Sequence, residues 1–283
     1  MRRTRLALTL VAAISLLAAC AEQPRGGGGG GESPTAGPTE TTASFETLEE
    51  GILAVGSCLD YPPFESVQGG DEVGFDVDLS EEIAGRLGLE VEWVRADFDT
   101  IFTAVAGGQF DMVAAASTIT EERQQTVDFS DPYYNSRQSL TVGPDSDIAS
   151  TADVGEGHVV GVQRGTTGKE YAEENLEPQG AQIKTYANAP DAFRDLEAGN
   201  IDAILNDEPA SAEIIEKSFP DFVLVEAIDT NEKYGFAFSK DNPELTEAVN
   251  GALAEIIADG TYEEIFGTYF PGVEVPPEFQ GSA

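Results

Sequence analysis

From Ile52 onward, apolar runs of strand length alternate with segments whose apolar residues recur at helical spacing. Ile52 to Val55 reads as a strand, and Leu79, Ile83 and Leu87 then fall four apart on one helical face. Leu89, Val91 and Trp93 alternate as a strand, Ile101, Phe102 and Val105 line a helix, and Met112 to Ala115 forms another buried strand. The series restarts at Val159 to Val162, with a helix near Lys169 to Asn175 and a strand around Ile183 to Tyr186. A helix through Phe193 and Leu196 and a strand from Ala203 to Leu205 complete it. Strand and helix in alternation, twice over, predict two α/β units. A last strand, Tyr234 to Phe238, precedes a helix with Leu245, Val249, Leu253 and Ile256 on one stripe, and Pro276-Pro277 is expected to mark a frayed end.

The segment before the first strand has a different character. Arg2, Arg3 and Arg5 precede an uncharged apolar run from Leu6 to Leu17, which is short for a spanning helix of about 20 residues. The run ends in Leu17-Ala18-Ala19-Cys20, which resembles the lipobox of bacterial lipoproteins. Residues 1–19 are therefore expected to be a signal peptide and Cys20 the lipidated residue, anchoring the chain to the extracytoplasmic face of the cell membrane. An ordinary secretory signal with a chance cysteine is the alternative. Residues 20–44 are rich in Gly, Pro, Ser, Thr and Glu, with six glycines from Gly26 to Gly31, and are expected to form a disordered tether.

Composition narrows the function. The 283 residues carry 15 Lys+Arg against 52 Asp+Glu, a net charge of −37. Nucleic acid is excluded as a partner, because affinity for a polyanion comes mainly from Lys and Arg neutralising phosphates. With Cys20 acylated, Cys58 has no partner for an internal disulfide. His158 is the single histidine, in Gly-Glu-Gly-His, so neither a metal site nor a cofactor is expected. The sequence contains no Gly-x-Ser-x-Gly, P-loop or Gly-x-Gly-x-x-Gly motif, so no catalytic residue is assigned.

Seven strings in order carry a resemblance: Asp60-Tyr61-Pro62-Pro63-Phe64-Glu65, Gly74-Phe75-Asp76-Val77-Asp78-Leu79, Ser117 to Arg123, Asp128 to Tyr134, Gly161 to Gly168, Asp207-Glu208-Pro209 and Asp259-Gly260-Thr261-Tyr262. The chain resembles the family 3 extracellular solute-binding proteins, the polar amino acid receptors of ABC importers, over residues 48 to 271. The resemblance implies the type II periplasmic-binding-protein fold, two α/β lobes joined by a two-strand hinge. Lobe 1 would comprise residues 45–137 and 232–283 and lobe 2 residues 138–231, with hinge strands near Leu140 and Tyr234. It implies an amino acid ligand, ABC permease subunits as partners, and a monomer.

Arg123 presents a planar fork of donors suited to an α-carboxylate. If a helix opens at Thr118, the Thr118 hydroxyl, backbone N–H groups and Arg123 could converge on one anion; on the surface, Arg123 would instead pair with Glu121 or Glu122. Thr166 and Thr167 precede a second helix whose free N–H groups could hold the same group. Asp207 ends an apolar strand, where it could accept from an α-ammonium, as the family uses this position, or cap the helix near Pro209. The resemblance makes Tyr61 and Phe98 aromatic walls and adds Ala115, Ala116, Gln163 and Asn206 to the ligand-binding set. Phe75, Phe102, Phe193 and Phe266 read as core, and Asp76 and Asp78 as caps of the helix containing Leu79.

Specificity turns on three positions. Many relatives carry Asp where this chain has Cys58, so a cationic side chain loses its obvious partner. Asp60 shares the face of Cys58 if the segment is extended, and could restore selection for a basic ligand. Arg164, aimed inward, would favour an acidic side chain; aimed outward it would contribute through backbone alone. Glutamine or glutamate is the favoured ligand on this reading. A dehydratase on the same fold, with Asp60, Asp207 or Glu208 as general acid, and a sensory ligand-binding module are the alternatives from other classes.

Overall fold

The structure, a computed structural model, describes residues 45–281. The signal peptide, Cys20 and the tether of residues 20–44 lie outside the described residues. The chain begins with β1 (Ile52–Ser57), then a small antiparallel sheet of β2 (Asp60–Tyr61), β3 (Glu65–Gln68) and β4 (Asp71–Val73). Next come α1 (Phe75–Leu87), β5 (Glu90–Arg95), α2 (Phe98–Ala106), β6 (Met112–Val113) and β7 (Asp128–Phe129). A long strand, β8 (Tyr134–Val142), leads into β9 (Val159–Gln163), α3 (Thr167–Tyr171), β10 (Gln182–Tyr186), α4 (Ala189–Glu197), β11 (Ala203–Asp207) and α5 (Glu208–Ser218). A second long strand, β12 (Val223–Tyr234), returns to β13 (Ala237–Phe238), α6 (Pro243–Ala258) and α7 (Thr261–Tyr269).

These strands form two five-stranded sheets, ordered β5-β1-β6-β13-β7 and β10-β9-β11-β8-β12. In each, the parallel strands carry the αβ crossovers that the alternating pattern requires. Each sheet is buried on both faces. In the first, Leu53, Val55, Phe75, Leu79 and Leu253 pack on one side and Ile101, Val105, Phe110 and Val113 on the other. In the second, Val160, Val162, Leu176 and Leu205 face one cluster, and Phe193, Leu196, Ile204 and Ile214 another. A fully buried Leu or Phe contributes about 1.5–3 kcal/mol, so the apolar faces of both units are substantial sources of stability.

Topology places the site. In the first sheet β1 lies between β5 and β6, and in the second β9 lies between β10 and β11, so strand order reverses beside β1 and beside β9. Ligands of such sheets bind outside the carboxyl ends of the strands at the reversal. The sheets are joined by β8 and β12, which pair antiparallel from Tyr134↔Tyr234 to Val142↔Val223.

Several expectations are corrected. The stretch from Tyr234 to Phe238 is not one strand, because β12 ends at Tyr234 in the second sheet and β13 begins at Ala237 in the first. No helix opens at Thr118; that residue bridges to Tyr234, and Arg123 begins a single 3-10 turn, Arg123–Gln125. The end at Pro276-Pro277 is not frayed, since Phe279 is buried against Tyr262. Asp76 and Asp78 do not cap α1, whose N-cap is Gly74. Asp76 instead accepts from the Ala116 N–H and the Tyr133 hydroxyl, both at 2.8 Å, and Asp78 accepts from Tyr269.

Candidate functional site

The carboxyl ends of β1, β6, β9 and β11 converge on one small cavity. Cys58 reaches it just beyond β1, Ala115, Ala116 and Thr118 beyond β6, Gln163, Thr166 and Thr167 at and beyond β9, and Asp207 at the end of β11. Tyr61, Glu65, Phe98 and Arg123 complete the lining.

Arg123 stands at the mouth with its guanidinium over two aromatic faces, 4.7 Å from the Phe102 ring centre and 5.2 Å from that of Phe98. Such stacking orients a cation and leaves its edge for planar acceptors. Nη1 donates to the Thr118 carbonyl at 2.6 Å and Nη2 to the Gly165 carbonyl at 3.0 Å, so this side chain reaches from the segment after β6 of the first sheet to the turn after β9 of the second. Phe102, expected as core, is half-buried and forms the floor beneath the guanidinium. Burial lowers the Arg123 pKa, opposed by the charges of Glu170, Asp207 and Glu232.

Two acidic residues, Asp207 and Glu65, share the lining with Arg123. Asp207 is buried and takes hydrogen bonds from the Tyr234 hydroxyl and the Gln138 amide. It is the residue preceding α5, yet its carboxylate makes no capping bond, so the capping role is set aside. Burial, reinforced by the charge of Glu232, raises its pKa to about 7. Glu65 is fully buried and, among the described residues, neither of its carboxyl oxygens has a hydrogen-bond partner. Burial, with the charges of Asp76, Asp60 and Asp207, pushes its carboxyl well above the usual range. Cys58, also in the lining, is buried with its thiol pKa raised by burial.

A profile of the family described as "Bacterial extracellular solute-binding proteins, family 3" matches residues 53–272. The chain belongs to this family. Among family 3 proteins, the lysine/arginine/ornithine-binding periplasmic protein of Escherichia coli (strain K12) is 35% identical over 242 residues, 83% of this chain and 93% of that one. An ancestral arginine-binding protein solved bound to arginine is 38% identical with a TM-score of 0.74, covering 78% of this chain and 98% of its own. An ancestral arginine-binding protein solved bound to glutamine is 38% identical with a TM-score of 0.74, covering 78% of this chain and 99% of its own. These likenesses extend through both lobes of the type II periplasmic-binding fold.

In this family 3 chain, the cavity brings together Tyr61, Phe98, Ala115, Ala116, Thr118, Arg123, Gln163, Thr166, Thr167, Asp207 and Cys58. Three other candidates lie outside it. Asp60 is turned away and pairs with Arg95 at 3.2 Å, because Leu59 adopts φ +55°, which breaks the alternation that would have put Asp60 beside Cys58. Arg164 is exposed and faces Asp99 at 3.5 Å. Asn206 lies behind the wall, accepting from the Tyr61 hydroxyl at 2.9 Å and donating to Ser211 at 3.2 Å. Glu208, weighed as a general acid, is paired with Arg137 outside the cavity. Sequence reasoning missed Glu65, although an acidic residue directly after Pro62-Pro63-Phe64 and paired across the hairpin with Tyr61 was a usable signal.

Proposed function

We propose that this protein captures a polar amino acid with a nitrogen-bearing side chain between its two lobes and delivers it to an ABC importer. The observation that carries the reading is one cavity lined by a guanidinium, Arg123, and two buried carboxyls, Asp207 and Glu65. Arg123 pairs with the α-carboxylate, Asp207 with the α-ammonium, and Tyr61 and Phe98 flank the side chain. Glu65, buried without a partner, then meets a lysine, arginine or ornithine terminus. A buried carboxyl lacking any partner is costly, so a ligand that supplies one gains a charge-assisted bond and relieves that cost. Both lobes touch the ligand, and contacts of that kind favour the closed state.

Glutamine is the second reading, favoured by the raised Glu65 pKa: a protonated carboxyl donates to an amide oxygen and accepts from its N–H. Ancestral arginine-binding proteins solved with arginine and with glutamine support sites of this type taking either. Glutamate fits less well, because its side chain sets one acid against another.

The rest of the assignment is built around that cavity. Lobe 1 is taken as residues 45–137 and 232–283 and lobe 2 as residues 138–231. The mature protein is a monomer held to the outer face of the cell membrane by lipid on Cys20, with residues 20–44 as tether and permease subunits as partners.

A thermal-shift screen of the twenty amino acids tests the ligand class, since a ligand bound only by the folded state raises the melting temperature. Arginine, lysine or glutamine should raise it and be recovered chemically unchanged. Arg123→Ala should abolish calorimetric binding with an unaltered circular dichroism spectrum. Binding that survives Arg123→Ala would overturn the site assignment. Loss of acyl labelling in Cys20→Ala, with release of the protein from membranes, tests the anchor.

A further inference from the structure

Glu232 lies in β12, two residues from its end, and does not line the cavity. The register of β12 against β8 shifts between Ile228 and Glu232, and Asn231 there adopts φ +53°. Bulges of this kind re-aim the following side chain. Glu232 is buried and its two oxygens accept four hydrogen bonds. Oε1 accepts from the Gln138 amide at 2.9 Å and the Thr230 hydroxyl at 2.8 Å. Oε2 accepts from the Thr118 hydroxyl at 2.5 Å and the Thr167 hydroxyl at 2.9 Å.

Those last two bonds have a chemical consequence. A hydroxyl has one proton, and once that proton is committed its oxygen can only accept. Thr118 and Thr167 both line the cavity, so what their hydroxyls can offer a ligand is a lone pair rather than an O–H; the Thr167 oxygen also accepts from the Gln138 amide at 3.4 Å. Together with Asp207 they form three acceptors, suited to an ammonium and unsuited to a carboxylate. The same oxygen also joins Thr118 of the first lobe to Thr167 of the second.

We propose that Glu232 is a positioning residue that latches the two lobes through Thr118 and Thr167 and sets both hydroxyls as acceptors for the ligand ammonium. The inference rests on the amino acid reading above and gives the ammonium end a wider set of partners than Asp207 alone. Glu232→Gln keeps the shape but substitutes an N–H donor for one oxygen, leaving one remaining acceptor oxygen for four donors. At least one hydroxyl must then turn elsewhere.

The test is a double-mutant cycle on the full-length protein, with L-arginine and L-glutamine as calorimetric probes and melting temperature as the folding check. Glu232→Gln and Thr118→Val should each weaken binding about tenfold, and the double variant should be within about threefold of the weaker single variant, because both remove one coupled interaction. A second cycle, Thr118→Val with Thr167→Val, leaves the carboxylate in place and covers the case in which Glu232→Gln fails to fold. Additive losses in the cycle that folds overturn the latch while leaving the amino acid reading intact. Failure of the wild type to bind either probe, or binding indifferent to Arg123→Ala, overturns both.

Discussion

Gly165 of the second lobe lies so close to Asp99 of the first that a Cβ built on it would stand 2.9 Å from the Asp99 Cα. Asp99 is in the first turn of α2, one residue past the cavity wall Phe98, and Gly165 is in the turn after β9 at φ +74°. Only glycine allows both that backbone conformation and that approach. Gly165→Ala should therefore hold the lobes apart and weaken amino acid binding by about tenfold or more. Calorimetry gives the affinity and small-angle scattering the separation; an unchanged affinity would mean the two backbones can part without cost to the site.

The raised pKa of Asp207 fixes a sign for pH dependence. Its folded value of about 7 stands above the 3.8 expected when unfolded, so the folded state holds the proton more tightly. Its contribution to stability is complete below pH 3.8 and is lost as pH rises through about 7. Binding of an ammonium has the opposite demand, since it needs the carboxylate. Amino acid affinity should fall as pH drops below about 7, with protons released on binding, and Asp207→Asn should remove that release. Calorimetry in two buffers of different ionisation enthalpy measures it.

Glu65 should separate the two ligand readings. Glu65→Gln removes the charge but keeps hydrogen-bonding groups. Arginine and lysine affinity should fall by more than about tenfold, a loss of about 1.4 kcal/mol or more, while glutamine affinity changes by less than about threefold. A uniform loss across all three would place Glu65 away from the ligand's side chain.

Asp76 supports the site from behind. It holds the backbone N–H of Ala116, which adopts φ +45° in the cavity wall, and the hydroxyl of the fully buried Tyr133. Asp76→Ala leaves both donors unsatisfied, and urea denaturation should show a loss of about 2–4 kcal/mol. Asp76→Asn, which keeps an acceptor, should lose less.

The two α/β units were legible in the sequence because strand and helix periods there reflect burial on both faces of each sheet. Of the candidate site, Asp207 was legible from its place at the end of an apolar strand, whereas Cys58, Ala115 and Gln163 entered only through the family resemblance, although they too lie at or just beyond strand ends. What was not legible depended on local backbone turns. The positive φ of Leu59 removes Asp60 from the cavity, and the bulge at Asn231 brings Glu232 to Thr118, 114 residues away in sequence. No pattern of apolar residues encodes either. Phe102 read as core because its helix face is apolar, and the sequence could not show that a guanidinium would cover it.

The antiparallel pair β8 and β12 carries the connection between the sheets, and its ladder runs from Tyr134↔Tyr234 to Val142↔Val223 with two register shifts along it. Two strands tied edge to edge bend readily out of their common plane but resist shearing past each other, as a strip of tape does. Gln138, bonded to both Asp207 and Glu232, sits on that strip. Any flexing of the strip would therefore carry Asp207 and Glu232 along with Gln138, so these two buried carboxylates are coupled to the connection between the sheets itself.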